Sequence, residues 1–229
     1  MSDSPHVLFE TALKQVPAPL RAPVENAWET LAALSGTTPD RTWLKALPRV
    51  LAASDFVARA CVRDPDLLRE LLVSGDLARA YAVGEPAIRV NHVLEDVADE
   101  TDLKTRLRRV RQREMLRIAY RDLAGWANLG EVMATLSELA DACIDQALAQ
   151  LVRWLNTPPG FVVLGMGKLG GRELNFSSDV DLIFVYAEDT EGEEASHHEQ
   201  FVRLAQRLTQ ALSEATADGF VFRVDTRLR

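Results

Sequence analysis

The spacing of apolar residues changes character once along the chain. Through residue 156 they recur mostly at intervals of three and four, as one face of a helix requires; after Thr157-Pro-Pro-Gly160 they gather in short continuous runs, as buried strands do. The pattern from His6 to about Gln15 is weak, and Pro17, Pro19 and Pro23 follow it. A helix is predicted from Pro23, at a first-turn position, to Leu34, where Ser35-Gly36 stops it. Asp40 opens another, with Trp43, Leu44, Leu47, Val50 and Leu51 on one face. Ser54 or Asp55 caps a short helix through Val62, and Asp64-Pro65-Asp66 starts one that carries Leu67, Leu68, Leu71 and Leu72 up to Ser74-Gly75. Two longer helices follow, Thr101 to about Trp126 and Glu131 to Asn156, parted at Gly130. No fixed period marks a repeat array.

Beyond the proline-glycine boundary, Phe161 to Leu164 and Leu182 to Tyr186 read as strands. Ala187 to Glu199 is polar and acidic and reads as a loop. Phe201, Leu204, Leu208 and Leu212 mark an amphipathic helix to about Ala217, and Phe220 to Val224 has strand composition. The fold class expected is α+β: a helical region over residues 1–156, then a mixed sheet with flanking helices over 157–229.

Charge and composition narrow the function. Of 229 residues, 26 are Lys or Arg and 34 are Asp or Glu, a net charge of −8, which argues against nonspecific nucleic-acid binding. No apolar run approaches the roughly 18 residues of a membrane span. The first residues, Met-Ser-Asp-Ser-Pro-His, lack the order of a signal peptide. Cys61 and Cys143 lie far apart, as suits a reduced, cytoplasmic protein. The helix from Thr101 is strongly basic, with Arg106, Arg108, Arg109, Arg111, Arg113, Arg117 and Arg121. Asp102, Glu114 and Asp122 could balance these as a solvated face; alternatively, some arginines face an active site or a protein partner.

The candidate chemistry sits between the two strands of the second region. Glycines at Gly165, Gly167, Gly170 and Gly171 interrupt the chain, and lacking a Cβ they let backbone N–H groups approach phosphate oxygens. Lys168 among them could meet a phosphate. Asp179 and Asp181, two apart at the mouth of a strand, project to one face. Two adjacent anions repel unless a cation lies between them, and oxygen ligands of this kind favour Mg²⁺. Asp225 follows the last apolar run and completes a three-carboxylate set if its strand lies beside that of Asp179. Such a set suits phosphoryl or nucleotidyl transfer. Arg227 and Arg229 alternate with Asp225 and suit phosphate or AMP, or else are sheet-edge charges; Ser178 or Asp179 could also simply cap a turn. The adjacent His197 and His198 lack partners at metal-ligand spacing.

Gly165-Met-Gly-Lys-Leu-Gly170 also satisfies a dinucleotide fingerprint, with Glu188 as the ribose acid. The short distance to Val180 leaves little room for a crossover helix, and that reading gives the three aspartates no role. A P-loop is excluded, since Leu169 follows Lys168.

Three segments taken together are more specific: Gly165-Met-Gly-Lys-Leu-Gly-Gly171, Glu173-Leu-Asn-Phe-Ser-Ser-Asp-Val-Asp-Leu-Ile-Phe184, and Phe222-Arg-Val-Asp-Thr-Arg-Leu-Arg229. They resemble the nucleotidyltransferase core of the bifunctional glutamine synthetase adenylyltransferase/adenylyl-removing family. The Leu-Asn-Phe-Ser-Ser-Asp form and the helical leader resemble its N-terminal, adenylyl-removing half. The resemblance implies a DNA polymerase beta-like sheet and phosphorolytic removal of AMP from an adenylylated tyrosine of glutamine synthetase, releasing ADP. It implies Mg²⁺ held by Asp179, Asp181 and Asp225, and phosphate or nucleotide contacts at Gly165, Gly167, Lys168, Gly170, Ser178, Arg227 and Arg229. It also implies glutamine synthetase and the signalling protein PII as partners. Because the family's catalytic half continues past the Arg-Leu-Arg segment, the core is expected to be incomplete at its C-terminus. Two alternatives remain: ATP-dependent protein adenylylation, which uses the same metal motif, and a fragment that only binds glutamine synthetase or PII.

Overall fold

The computed structural model describes residues 4–186 and 196–227. Its helices are α1 (Pro5–Leu13), α2 (Arg21–Leu31), α3 (Thr42–Ala53), α4 (Asp55–Arg63), α5 (Pro65–Val73), α6 (Glu85–Val93), α7 (Glu100–Leu123) and α8 (Leu129–Leu155). Then come β1 (Phe161–Met166), the four-residue α9 (Gly167–Gly170), β2 (Val180–Tyr186), α10 (Ser196–Ser213) and β3 (Val224–Asp225). The architecture is α+β, with a helical run followed by a small mixed sheet. Among the described residues no helix is long and apolar enough to cross a membrane.

The chain divides into two compact units, and α7 and α8 each contribute to both. The change from helix to strand at Thr157-Pro-Pro-Gly160 is therefore a change of composition within one unit. The unit built from the segment through Tyr81 together with Gln112–Val132 is all helical. Phe9 stacks on Trp28 at 4.2 Å between ring centroids, and Leu31, Leu44, Leu47 and Leu71 are buried around them. Tyr120 reaches into this core and donates its hydroxyl to the Trp43 carbonyl at 2.7 Å. Burial pushes the Cys61 thiol up to about 12, so it remains neutral there.

The basic stripe of α7 is not a solvated face. Arg117 and Arg121 are 1% and 3% exposed and donate to backbone carbonyls: Arg117 Nε to Asp76 O at 2.9 Å, Arg121 Nη1 to Leu77 O at 3.0 Å. Arg117 also lies 3.3 Å from the Tyr81 ring centroid. These guanidinia staple the loop after α5, whose carbonyls have no helical partner, and the apolar rings shelter the bonds from water.

The other unit comprises Ala82–Arg111 and the chain from Met133 onward. In its sheet, in the order β1-β2-β3, β1 runs antiparallel to β2, and β3 runs parallel to β2. Phe161, Phe184 and Tyr186 share one face; Phe161 stacks on Phe184, and Phe201 of α10 stacks on Phe161 and Tyr186. Phe201, Leu204, Leu208 and Leu212 are at most 2% exposed, as their spacing predicts. Antiparallel pairing of β1 with β2 excludes the dinucleotide reading, which needs a parallel crossover pair; its acid, Glu188, lies outside the described residues.

Several predicted boundaries shift. The expected strand Phe220 to Val224 reduces to Val224–Asp225, because Phe220 and Phe222 instead lie against the Arg111 guanidinium. The expected loop to Glu199 gives way to α10 from Ser196, with His198 Nδ1 2.9 Å from the Tyr186 hydroxyl; its stretch 187–195 lies outside the described residues. The weak stretch at the N-terminus forms α1, capped by the Ser4 hydroxyl accepting from Val7 N.

Candidate active site

The glycine-rich turn brings the end of β1 against the start of β2. Gly167 has φ of +53°, a conformation costly for a residue with a Cβ. A Cβ there would also stand 2.4 Å from Asp181 Oδ2, so the bare backbone is what makes room for this carboxylate. At Gly170 a Cβ would meet the Gly165 carbonyl at 2.5 Å, which fixes the tight return of α9 onto β1. Gly165 itself lies under the Leu169 side chain. The Lys168 side chain is exposed on α9 and makes no hydrogen bond or ion pair among the described residues, while its carbonyl accepts from Glu173 N at 2.7 Å.

The following turn delivers the aspartates. Asn175 Oδ1 accepts from Ser177 N at 3.3 Å and from the Ser178 hydroxyl at 2.8 Å, and Asn175 O accepts from Ser178 N at 3.2 Å. Ser178 thus holds the turn that presents Asp179. Register then decides what faces what. Asp181 stands opposite Met166 on one side and opposite Asp225 on the other, and Val180 opposite Val224. Directly opposed residues share a face, so Asp181 and Asp225 are cross-strand neighbours; two like charges so placed repel. The backbone places Arg223 beside Asp179, with Val180 N donating to Arg223 O at 2.8 Å.

Arginines answer two of the three carboxylates. Arg223 Nε donates to Asp179 Oδ1 and its Nη2 to Ser177 O, each at 2.5 Å. Arg227 grips Asp225 with Nε to Oδ1 at 3.0 Å and Nη2 to Oδ2 at 3.1 Å. The hydrogen bond and charge of Asp225 raise the Arg227 pKa, and the charge of Asp179 adds to this, so both aspartates act on one guanidinium. Asp181 has no cation partner among the described residues. Arg227 reaches Asp225 by folding back past the end of β3, not by continuing the strand. Arg229 lies outside the described residues.

Among the described residues no three His, Cys, Asp or Glu side chains are drawn together as a metal-binding set. The donors present nevertheless fit a hard divalent cation: three carboxylates on one end of the sheet, two of them directly opposed and one of those without a counter-charge. The same face continues along β1 as Val162, Leu164 and Met166, which are exposed.

Sequence reasoning missed what braces this loop. Ser137 of α8 is fully buried; its hydroxyl accepts from Leu174 N at 3.2 Å and donates to Met133 O at 2.9 Å. Arg172, at φ of +57°, donates to Glu138 Oε1 at 3.3 Å and lies 3.9 Å from Asp141. Polar residues beside the apolar stripe of α8 were the available signal, since a buried hydroxyl needs a partner.

With this arrangement in view, comparison with known proteins is decisive. Residues 44–229 match the family model for glutamate-ammonia ligase adenylyltransferase. The chain belongs to this family. The chain is 52% identical over 216 residues to the bifunctional glutamine synthetase adenylyltransferase/adenylyl-removing enzyme of Thioalkalivibrio sulfidiphilus, covering 88% of this chain and 22% of that one. The enzyme of the same name from Nitrosococcus oceani is 52% identical over 202 residues, covering 81% and 21%. That from Pseudomonas aeruginosa is 48% identical over 235 residues, covering 96% and 23%. The chain thus spans less than a quarter of the length of these relatives.

Proposed function

We propose that this chain carries the catalytic core of the adenylyl-removing reaction: phosphorolysis of AMP from an adenylylated tyrosine of glutamine synthetase, giving ADP and the unmodified tyrosine. The observation that carries the reading is the cross-strand pair Asp181–Asp225, set against the bare backbone of Gly167. Arg227 answers Asp225, but Asp181 opposite it has no counter-charge among the described residues, and a cation shared between the two would supply one. The Leu174-Asn-Phe-Ser-Ser-Asp179 form supports the removing direction over the adenylylating one.

Asp179, Asp181 and Asp225 would hold Mg²⁺, which when bound supplies charge neutralisation to phosphate oxygens. A phosphate oxygen forms a bond to the AMP phosphorus as the bond from phosphorus to the tyrosine oxygen breaks. The proton of the phosphate passes to that oxygen, and ADP leaves. The chain's part is placement: the N–H groups of the Gly165–Gly170 turn and the ammonium of Lys168 receive phosphate oxygens, and Arg227, with Arg229, orients the AMP phosphate. Arg223 on Asp179 and Arg227 on Asp225 hold these carboxylates in place, and Mg²⁺ bound by them would add its charge to that of the guanidinia facing the phosphates. Glutamine synthetase is the protein substrate in this reading, PII the regulator and the cytoplasm the setting.

The test is ADP formation from adenylylated glutamine synthetase with phosphate and Mg²⁺. ADP that depends on phosphate and falls at least about 100-fold in Asp181→Asn is expected. Incorporation of AMP from ATP without phosphorolysis would assign the opposite direction; binding of the synthetase without either would make the chain a docking segment.

A further inference from the structure

One arginine of α7 has a different environment from its neighbours. Arg108 donates to Gly219 O at 2.9 Å and Lys104 O at 2.8 Å, and Arg117 and Arg121 bond the carbonyls described above. The Arg111 side chain makes no hydrogen bond or ion pair among the described residues, and its Nε is buried without an acceptor. What it has is aromatic: its guanidinium carbon lies 5.1 Å from the Phe220 ring centroid and 5.8 Å from that of Phe222. Ring faces attract a cation, but they carry no neutralising charge. Burial lowers the Arg111 pKa, and the positive charge of Arg223 adds to this, with only the buried thiol of Cys143 opposing. Arg111 is thus a desolvated cation with no anion of its own among the described residues, an arrangement that an anionic ligand would relieve.

The second cation belongs to the candidate site. Arg223 lies 5.9 Å from the same Phe220 ring and holds Asp179. Both arginines and both phenylalanines belong to one compact unit. We infer that Arg111 and Arg223, sharing Phe220, form a seat for a phosphate dianion. The guanidinium fork of Arg111 and the Nη1 of Arg223, which donate no hydrogen bond among the described residues, offer N–H donors to phosphate oxygens. Its role as the seat of the attacking phosphate rests on the phosphorolytic reading. The binding of the anion stands apart from that reading.

Inorganic phosphate is titrated calorimetrically into the metal-free chain, alone and in the presence of AMP. Phosphate is expected to bind, and Arg111→Gln and Arg223→Gln are each expected to weaken it about tenfold or more. Arg203→Gln, an exposed site on α10, leaves it unchanged. Should Arg111→Gln fail to fold, the exposed Arg223→Gln decides. Phosphate affinity unaltered by AMP identifies the free ion as the ligand; mutual exclusion identifies the phosphate of the nucleotide. No phosphate binding, or equal affinity in all variants, overturns the seat. Phosphate binding that needs both arginines, with no ADP from adenylylated synthetase, rejects phosphorolysis and leaves the seat standing; ADP formation with no effect of either variant on phosphate binding does the reverse.

Discussion

At Gly167 the two requirements of the site meet in a single missing carbon atom. A side chain there would have to adopt a positive φ and would press on the Asp181 carboxylate from 2.4 Å. Gly167→Ala is therefore expected to destabilise the fold by about 1–3 kcal/mol and to cost more than about 100-fold in ADP formation, because the turn relaxes by moving Asp181. Urea unfolding and the phosphorolysis assay measure the two effects; an alanine variant with full activity would show that this contact does not position the carboxylate. The glycines and aspartates were legible in the sequence, since their chemistry depends on residue type and short spacing. The arginines that hold Asp179 and Asp225 were not. Arg223 pairs across strands, and which residue it meets depends on the register of β3, which two residues of strand barely declare.

Among the elements, α8 matters more to the site than its apolar stripe suggests. Its Ser137 hydroxyl is the acceptor for Leu174 N, deep in the unit, and that bond sets where the turn toward Asp179 begins. Ser137→Ala leaves this N–H without an acceptor in a buried place, and a loss of about 1–3 kcal/mol by urea unfolding is expected, with the Asp179 turn loosened. Unchanged stability would mean that the turn is held from elsewhere. The long helices and α10 were legible because their periodicity persists over many turns. The nine-residue α1 and α6 were not, because packing sustains such short helices: Phe9, which stacks on Trp28, and Leu13 are buried in the one and Val90 in the other. The environment of the basic helix was not legible, because composition cannot tell an arginine in water from one that bonds buried carbonyls.

For the molecule as a whole, acid and base act through unevenly placed carboxyls. Burial raises the Asp141 pKa, with Asp145 and Glu138 adding to it and Arg172 opposing. Its proton is therefore held more tightly folded than unfolded. Its charge lowers stability above the raised value, and this penalty disappears as the pH falls below the ordinary carboxylate range, about 4. Asp141→Asn is expected to melt higher than the parent at pH 7, with the two converging near that range. A variant that melts lower at pH 7 would show the Arg172 contact to outweigh burial. Asp102 and Glu214 have the opposite sign: hydrogen bonds from Arg106 and Lys104 lower their pKa values, so their contribution is present above the ordinary range and lost on acidification through the lowered values. Family and α+β class were both legible, because three motifs in order are specific. The division into compact units was not, because α7 and α8 serve both, and that sharing leaves no mark in composition.

The claim on which the mechanism depends is that Asp181 and Asp225 oppose each other in order to share a cation. Calorimetric titration of the chain with Mg²⁺ in phosphate-free buffer tests it most directly. Saturable binding is predicted, weakened about tenfold or more by Asp181→Asn and by Asp225→Asn and unaffected by Asp145→Asn on α8. Affinity that stays the same in all three variants would contradict it.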